Sequence, residues 1–246
     1  MIIIPAIDLK DGKCVRLEQG RKSDVTVYDD DPVAVAREFA WAGAEVIHIV
    51  DLDSAFGDSR SLNRRVLKNI IDSVDVDIQF GGGIRMSADV EELKMLGVER
   101  VVLGTMASES TNDLLELVNR YGEFIAVGID ARDGRVMTRG WLERGKQDAQ
   151  ELARQVAALG VHRIVYTDIS RDGMLTGPNI EQTIAVARAA NVPVTASGGV
   201  SSLEDLRRIA IAGEPLVDSV IVGKAIYERR FTIEEALQLF QVSPSN

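Results

Sequence analysis

Ile7-Asp8-Leu9-Lys10-Asp11-Gly12-Lys13, near the start of the chain, returns after the midpoint as Ile129-Asp130-Ala131-Arg132-Asp133-Gly134-Arg135. Each copy closes an aliphatic run, residues 2–8 and 124–130, with an aspartate and then reaches an Asp-Gly pair. The echo continues in order. Asp51 ends the run 45–51 as Asp168 ends 163–168. Gly82-Gly83-Ile84 follows 76–80 as Gly198-Gly199-Val200 follows 192–197. Gly104-Thr105 closes 100–104 where Gly223-Lys224 closes 219–223. The offset between partners is nearly constant. Features that recur in the same order point to a unit of four strand–helix pairs written twice.

Those eight apolar runs are the strands. Between them lie longer amphipathic patterns at 32–42, 88–96, 112–121, 147–159, 181–190 and 203–212. Pro32 suits a first helical turn, where its missing N–H costs nothing. Unbroken strand–helix alternation predicts parallel strands joined by right-handed crossovers. Eight strands close a ring, so the expected fold is α/β: a (β/α)8 TIM barrel built from two tandem (β/α)4 half-barrels. One barrel domain takes the whole of 1–246, with halves at about 1–122 and 123–241 and a short disordered tail at 243–246. A doubly wound sheet needs one reversal of strand order and leaves the two-fold echo without a cause.

Composition agrees and excludes several classes. Hydrophobic residues make up 46% of the chain but aromatics only 5%, so the core is expected to be aliphatic, as parallel strands favour. A net charge of −10 argues against a nucleic-acid partner, which needs clustered cations. No apolar run reaches the ~20 residues of a membrane span, and no signal peptide is visible. Cys14 is the sole cysteine, which fits a reducing cytoplasm and is expected to be structural. A closed barrel with an acidic surface is expected to be a monomer.

In such a barrel the chemistry sits at the carboxyl ends of the strands. Asp8 and Asp130 end strands one and five, which face each other across the mouth, so one carboxyl can take a proton while the other gives one. The competing reading is that each caps its loop or pairs with Lys10 or Arg132. The glycine turns after strands three and seven let backbone N–H groups approach an anion. Barrel phosphate sites use the loops after strands seven and eight. Here that pair of loops recurs after strands three and four. Two phosphate sites follow, one from Gly82, Gly83, Gly104 and Thr105 with Arg85 alongside, the other from Ser197, Gly198, Gly199, Gly223 and Lys224. Thr167 and Asp172 lie at the end of strand six and in its long, glycine-rich loop. Trp141 follows strand five and either meets the ligand or anchors its loop. His48 lies within strand two and is expected to be a satisfied interior side chain; His162 falls at the opposite face. No metal-ligand spacing and no dinucleotide or P-loop motif is present, and no cofactor is implied.

The segments Ile4-Pro5-Ala6-Ile7-Asp8-Leu9, His48-Ile49-Val50-Asp51-Leu52-Asp53, Gly81-Gly82-Gly83-Ile84-Arg85, Thr167-Asp168-Ile169-Ser170-Arg171-Asp172-Gly173 and Ala196-Ser197-Gly198-Gly199-Val200 together resemble the phosphoribosyl isomerase (ProFAR isomerase) family of histidine biosynthesis. The resemblance runs from residue 2 to about 240. It implies an Amadori rearrangement of the aminoaldose ProFAR to the aminoketose PRFAR, without a cofactor, on a small bis-phosphate substrate. It implies Asp8 as general base and Asp130 as general acid. The related cyclase subunit of imidazole glycerol phosphate synthase carries a Cys at the place of Ala6 and a Lys where Val15-Arg16-Leu17 stands here. A dual-substrate isomerase that also takes phosphoribosyl anthranilate remains open, and Arg139 before Gly140-Trp141 is a weak mark of it. A non-catalytic sensor of phosphorylated metabolites needs the same glycine turns but no opposed carboxylates.

Overall fold

In the computed structural model, which describes residues 1–17, 24–57, 61–138, 141, 143–213 and 215–240, eight parallel strands close into a ring. Numbered along the chain, they are β1 (Ile2–Lys10), β4 (Val46–Asp51), β5 (Asp77–Gly81), β6 (Arg100–Leu103), β7 (Ile125–Arg132), β10 (Ile164–Asp168), β11 (Val194–Ser197) and β12 (Val217–Val222). Each pairs with the next, β7 with β10, and β12 closes on β1. This is the expected (β/α)8 barrel.

Alternation along each strand sorts its side chains. On β1, Ile3, Ile7 and Leu9 join the large cluster between barrel and helices, while Ile4 and Ala6 join a small cluster inside the ring with Val165 and Ile221. Both faces are buried, so the strand reads as one aliphatic run rather than as an alternating pattern. The same period of two carries Asp8 inward above Ala6. Below that aliphatic layer lies a polar floor. Arg163 donates to Asp218 (2.6 Å), Thr195 (3.2 Å) and Ser219 (3.1 Å) near the amino ends of the strands.

The expected helices form with ends shifted by a residue or two. They are α1 (Pro32–Trp41), α4 (Ser87–Leu96), α6 (Thr111–Tyr121), α7 (Ala149–Ala158), α8 (Ile180–Ala190) and α9 (Leu203–Gly213). Pro32 occupies the first turn, and the Asp31 carboxylate accepts from Val33 and Ala34. Additional helices are α2 (Leu52–Phe56), α3 (Ser61–Ile71), α5 (Thr105–Glu109), α10 (Lys224–Tyr227) and α11 (Ile233–Gln238). Among the described residues, no helix is long and apolar enough to cross a membrane.

Two corrections concern the strands. Asp8 and Asp130 do not end β1 and β7. Each strand runs two residues further because it turns back on itself: β2 (Lys13–Leu17) pairs antiparallel with β1, and β8 (Arg135–Thr138) with β7. A third strand extends each hairpin, β3 (Val25–Asp29) and β9 (Glu143–Asp148). Gln147, expected in a helix, therefore belongs to β9, and α7 begins after Asp148 caps it. Both hairpins turn on the repeated Asp-Gly pair, with φ +50° and +75° at Asp11-Gly12 and +52° and +73° at Asp133-Gly134. That is the left-handed pair of angles a tight two-residue hairpin requires. The tail expected at 243–246, and Arg139 and Gly140, lie outside the described residues.

Candidate active site

In the ring order, β1 and β7 stand four places apart, on opposite walls. Asp8, opposite Val50 in the β4 register, and Asp130, opposite Thr167 in the β10 register, thus face each other at the mouth. Among the described residues, neither Asp8 nor Asp130 forms an ion pair with Lys10 or Arg132. Lys10 pairs with Asp11. Asp8 instead accepts from Arg16 Nη1 of β2 at 2.7 Å. Burial disfavours the Arg16 cation, but Asp8, Asp172 and Tyr227 outweigh it and hold the guanidinium firmly protonated. Asp130 accepts from Trp141 Nε1 at 2.7 Å. Burial pushes the Asp130 carboxyl above the ordinary range, while hydrogen bonds from Trp141 and Thr167 pull the other way.

Asp172 lines the same cavity, and its carboxyl is pushed up to about 6. Burial is the main cause; Arg16 opposes it, and the charges of Asp8 and Asp130 add to it. The carboxyls of Asp8, Asp130 and Asp172 thus share one mouth with the Arg16 guanidinium. His48, on the inner face of β4, reaches the cavity wall, with Nδ1 3.0 Å from Gln79 Nε2. Burial and Arg16 lower it to about 4, so it is a neutral imidazole at physiological pH. Cys14 is buried, 3.1 Å from the Tyr227 hydroxyl, with its thiol pushed up to about 11 by burial. At neutral pH it is an inert thiol.

The glycine turns have a packing cause that the sequence reading did not weigh. A Cβ on Gly83 would come within 2.8 Å of the Ser54 backbone, and one on Gly82 would collide with Asp51. On the other side, a Cβ on Gly198 would lie 2.9 Å from the Asp168 carbonyl, and one on Gly199 2.6 Å from the Gly177 carbonyl. All four have φ between +69° and +98°. Each turn is tucked under the loop that leaves the preceding strand. Glycine is needed there whatever binds in front of it.

Those loops are held by matched polar clusters. Asp51 accepts from Ser54 N, Ser54 Oγ and Asn63 Nδ2 at 3.0, 2.5 and 2.7 Å. Asp168 accepts from Ser170 N, Ser170 Oγ and Asn179 Nδ2 at 2.9, 2.5 and 2.6 Å. Asn63 also donates to the Leu9 carbonyl and to Asp53, and its own Oδ1 accepts from Gly12 N, which ties the first hairpin to the barrel.

Gly104 and Gly223 precede α5 and α10, with similar angles (φ −95°, ψ −100° and φ −114°, ψ −96°) and no side-chain cap. Thr105 and Lys224 are the first residues of those helices and line the cavity. Ser197, Gly198, Gly199, Gly82, Gly83, Thr167 and Trp141 line it too. Arg85 stands at the exposed rim, its Nη2 donating to the Ser54 carbonyl at 3.1 Å. Every residue singled out for the site thus borders one cavity of about 730 Å³. Sequence reasoning passed over Arg16 and Gln79 and set His48 aside. Arg16 was detectable: an Asp-Gly pair between two runs signals a hairpin, and a hairpin folds residue 16 back over Asp8. The signal for Asn63 was weaker, because nothing local to it points at Asp51.

A family model described as "Histidine biosynthesis protein" matches residues 2–232. A protein of Desulfitobacterium hafniense (strain Y51) is 49% identical over 242 residues, 97% of each chain. One of Shouchella clausii is 48% identical over 235 residues, 96% of each. One of Thermodesulfovibrio yellowstonii is 49% identical over 241 residues, 98% of each. All three are called 1-(5-phosphoribosyl)-5-((5-phosphoribosylamino)methylideneamino) imidazole-4-carboxamide isomerase.

Proposed function

The chain belongs to the histidine biosynthesis protein family, and from that premise we propose how its barrel mouth performs the isomerase reaction its relatives are named for. The enzyme rearranges the aminoaldose ProFAR to the aminoketose PRFAR. Asp130 gives a proton to the ribose ring oxygen as the ring opens to a Schiff base. Asp8 removes the C2′ proton, and the enolamine so formed tautomerises to the ketose. Atoms and electrons balance within the substrate: carbon one is reduced and carbon two oxidised, with both protons handled by carboxyls.

The observation that carries this reading is the pair of carboxyls on opposite walls of one cavity. A single bound molecule between them is within reach of an acid and a base at once. The cavity's volume suits burial of a ligand of this size. The glycine turns after β5 and β11, with the helix starts after β6 and β12, offer an anion cradle on each side, one for each substrate phosphate. A sensor would have no use for the paired acids, which repel a bis-phosphate.

Asp8→Asn and Asp130→Asn should each lower ProFAR turnover by roughly 10²–10⁴-fold, the usual worth of a positioned acid or base, with binding retained. Near-normal turnover of Asp8→Asn, followed by absorbance, would refute the assignment. Asp172 supports a second reading of the acid, since its carboxyl at about 6 holds a proton closer to neutrality than an ordinary carboxyl does. If Asp172 is the donor, Asp172→Asn removes the alkaline limb of the pH profile for kcat/KM, and Asp130→Asn leaves that limb in place.

A further inference from the structure

On the β12 side of the cradle between β11 and β12, Arg16 lies against Gly223. A methyl carbon built on Gly223 would fall on the Arg16 guanidinium, with Nε still only 2.6 Å away. At Gly104, its counterpart on the other side of the mouth, the same methyl meets nothing within 4 Å. The guanidinium therefore lies against the backbone at the start of α10, beside Lys224. Asp8 holds it there at 2.7 Å, and the Tyr227 ring lies 5.9 Å from Cζ. Tyr227 is itself fixed by donating to the Ala6 carbonyl at 3.0 Å. Arg16 Nε is buried and has no hydrogen-bond partner among the described residues. One end of this guanidinium is thus committed to the carboxylate, while the rest lies against Gly223.

We propose that Arg16 is a positioning residue that couples phosphate capture at Gly198, Gly199 and Gly223 to the release of Asp8. In the empty mouth the guanidinium ion-pairs with Asp8. When a phosphate enters the cradle, the guanidinium moves to it and leaves the carboxylate free to work on the substrate. The direction of exchange follows from charge and geometry. A phosphate dianion offers a guanidinium more charge than a carboxylate and the same forked contact. It also offers the glycine N–H groups an acceptor. Deprotonation by Asp8 then waits until the substrate is anchored, which is substrate-induced assembly of the site. The proposal rests on the isomerase reading for the role of Asp8.

The test uses the whole chain, the intact bis-phosphate substrate, its two monophosphate forms and inorganic phosphate. Turnover of the intact substrate by the wild type is the control for the isomerase reading; its absence would refute that reading separately. Given that control, inorganic phosphate should stimulate turnover of one of the monophosphate forms by roughly tenfold or more, the worth of a charge-assisted contact. Arg16→Gln should lose the stimulation, and Arg16→Lys should recover part of it. A merely structural Arg16 would lower turnover in the presence and absence of phosphate alike and leave the ratio unchanged. No stimulation in the wild type with either form, or full stimulation in Arg16→Gln, overturns the proposal. If Arg16→Gln does not fold, a structure of the wild type with inorganic phosphate in the cradle decides: Arg16 still bonded to Asp8 there refutes the exchange, and Arg16 bonded to the phosphate supports it.

Discussion

Asp172 offers a handle on the mouth that is independent of turnover. Its carboxyl titrates at about 6 in the folded chain against an ordinary 3.8, so the fold binds its proton more tightly than the unfolded chain does. The stabilising contribution is therefore complete below about pH 4 and is lost as pH rises through about 6. Asp172→Asn should be more stable than the wild type by about 1–3 kcal/mol near pH 8 and indistinguishable near pH 3.5, as read by denaturant unfolding at the two pH values. Equal stability at both would mean that the carboxyl is better solvated than its position implies. Trp141 gives an optical handle on the same mouth. Its φ of +68° is a left-handed angle that a bulky side chain seldom adopts, and its indole N–H is spent on Asp130. A substrate that takes Oδ2 of Asp130 has to break that bond. Substrate or product should therefore shift Trp141 emission. Trp41, 93% exposed, supplies the other tryptophan signal, and Trp41→Phe removes it. An unchanged spectrum at saturating ligand would show that the indole stays on the carboxylate.

At the scale of elements, the two halves use the same parts with unequal strength. Asn63 is buried and serves Leu9, Asp51, Asp53 and Gly12, while Asn179 is half-buried, bonds Asp168 and caps α8. Asn63→Ala leaves two buried aspartates short of a donor and should cost about 2–4 kcal/mol, and Asn179→Ala less. Chemical denaturation of the two variants checks the order. The eight barrel strands were legible because burial on both faces makes each a plain aliphatic run. Helix α3 went unread although Leu62, Val66, Leu67, Ile70 and Ile71 keep helical spacing. The hairpins also went unread. Strand β3 is largely exposed, so no buried face disciplines its sequence, and among the described residues it pairs with β2 alone. The opposed aspartates followed from strand counting alone. Arg16 did not, because its place depends on the β1–β2 hairpin, which went unread.

For the whole molecule, ring closure leaves no barrel strand with an unpaired edge. Among the described residues, the most exposed large apolar side chains, Trp41, Met95 and Ile211, lie on three separate helices, α1, α4 and α9. We therefore propose a monomer; light scattering at micromolar protein should return a mass near 26.8 kDa, and twice that would refute it. A closed ring is as firm as its thinnest stave. With only four residues, β6 is matched in brevity by β11 alone among the eight, and its ladders run only from Arg100 to Val102 on one side and from Val101 to Leu103 on the other. Local opening should begin there, so β6 amides should exchange with deuterated solvent before those of β4 or β7. Gly104 and Thr105 continue directly from this stave into the open cradle. A phosphate seated on them would pin the end of β6, and its grip should be readable as slowed exchange on the wall between the two carboxylates, in amides that touch neither acid.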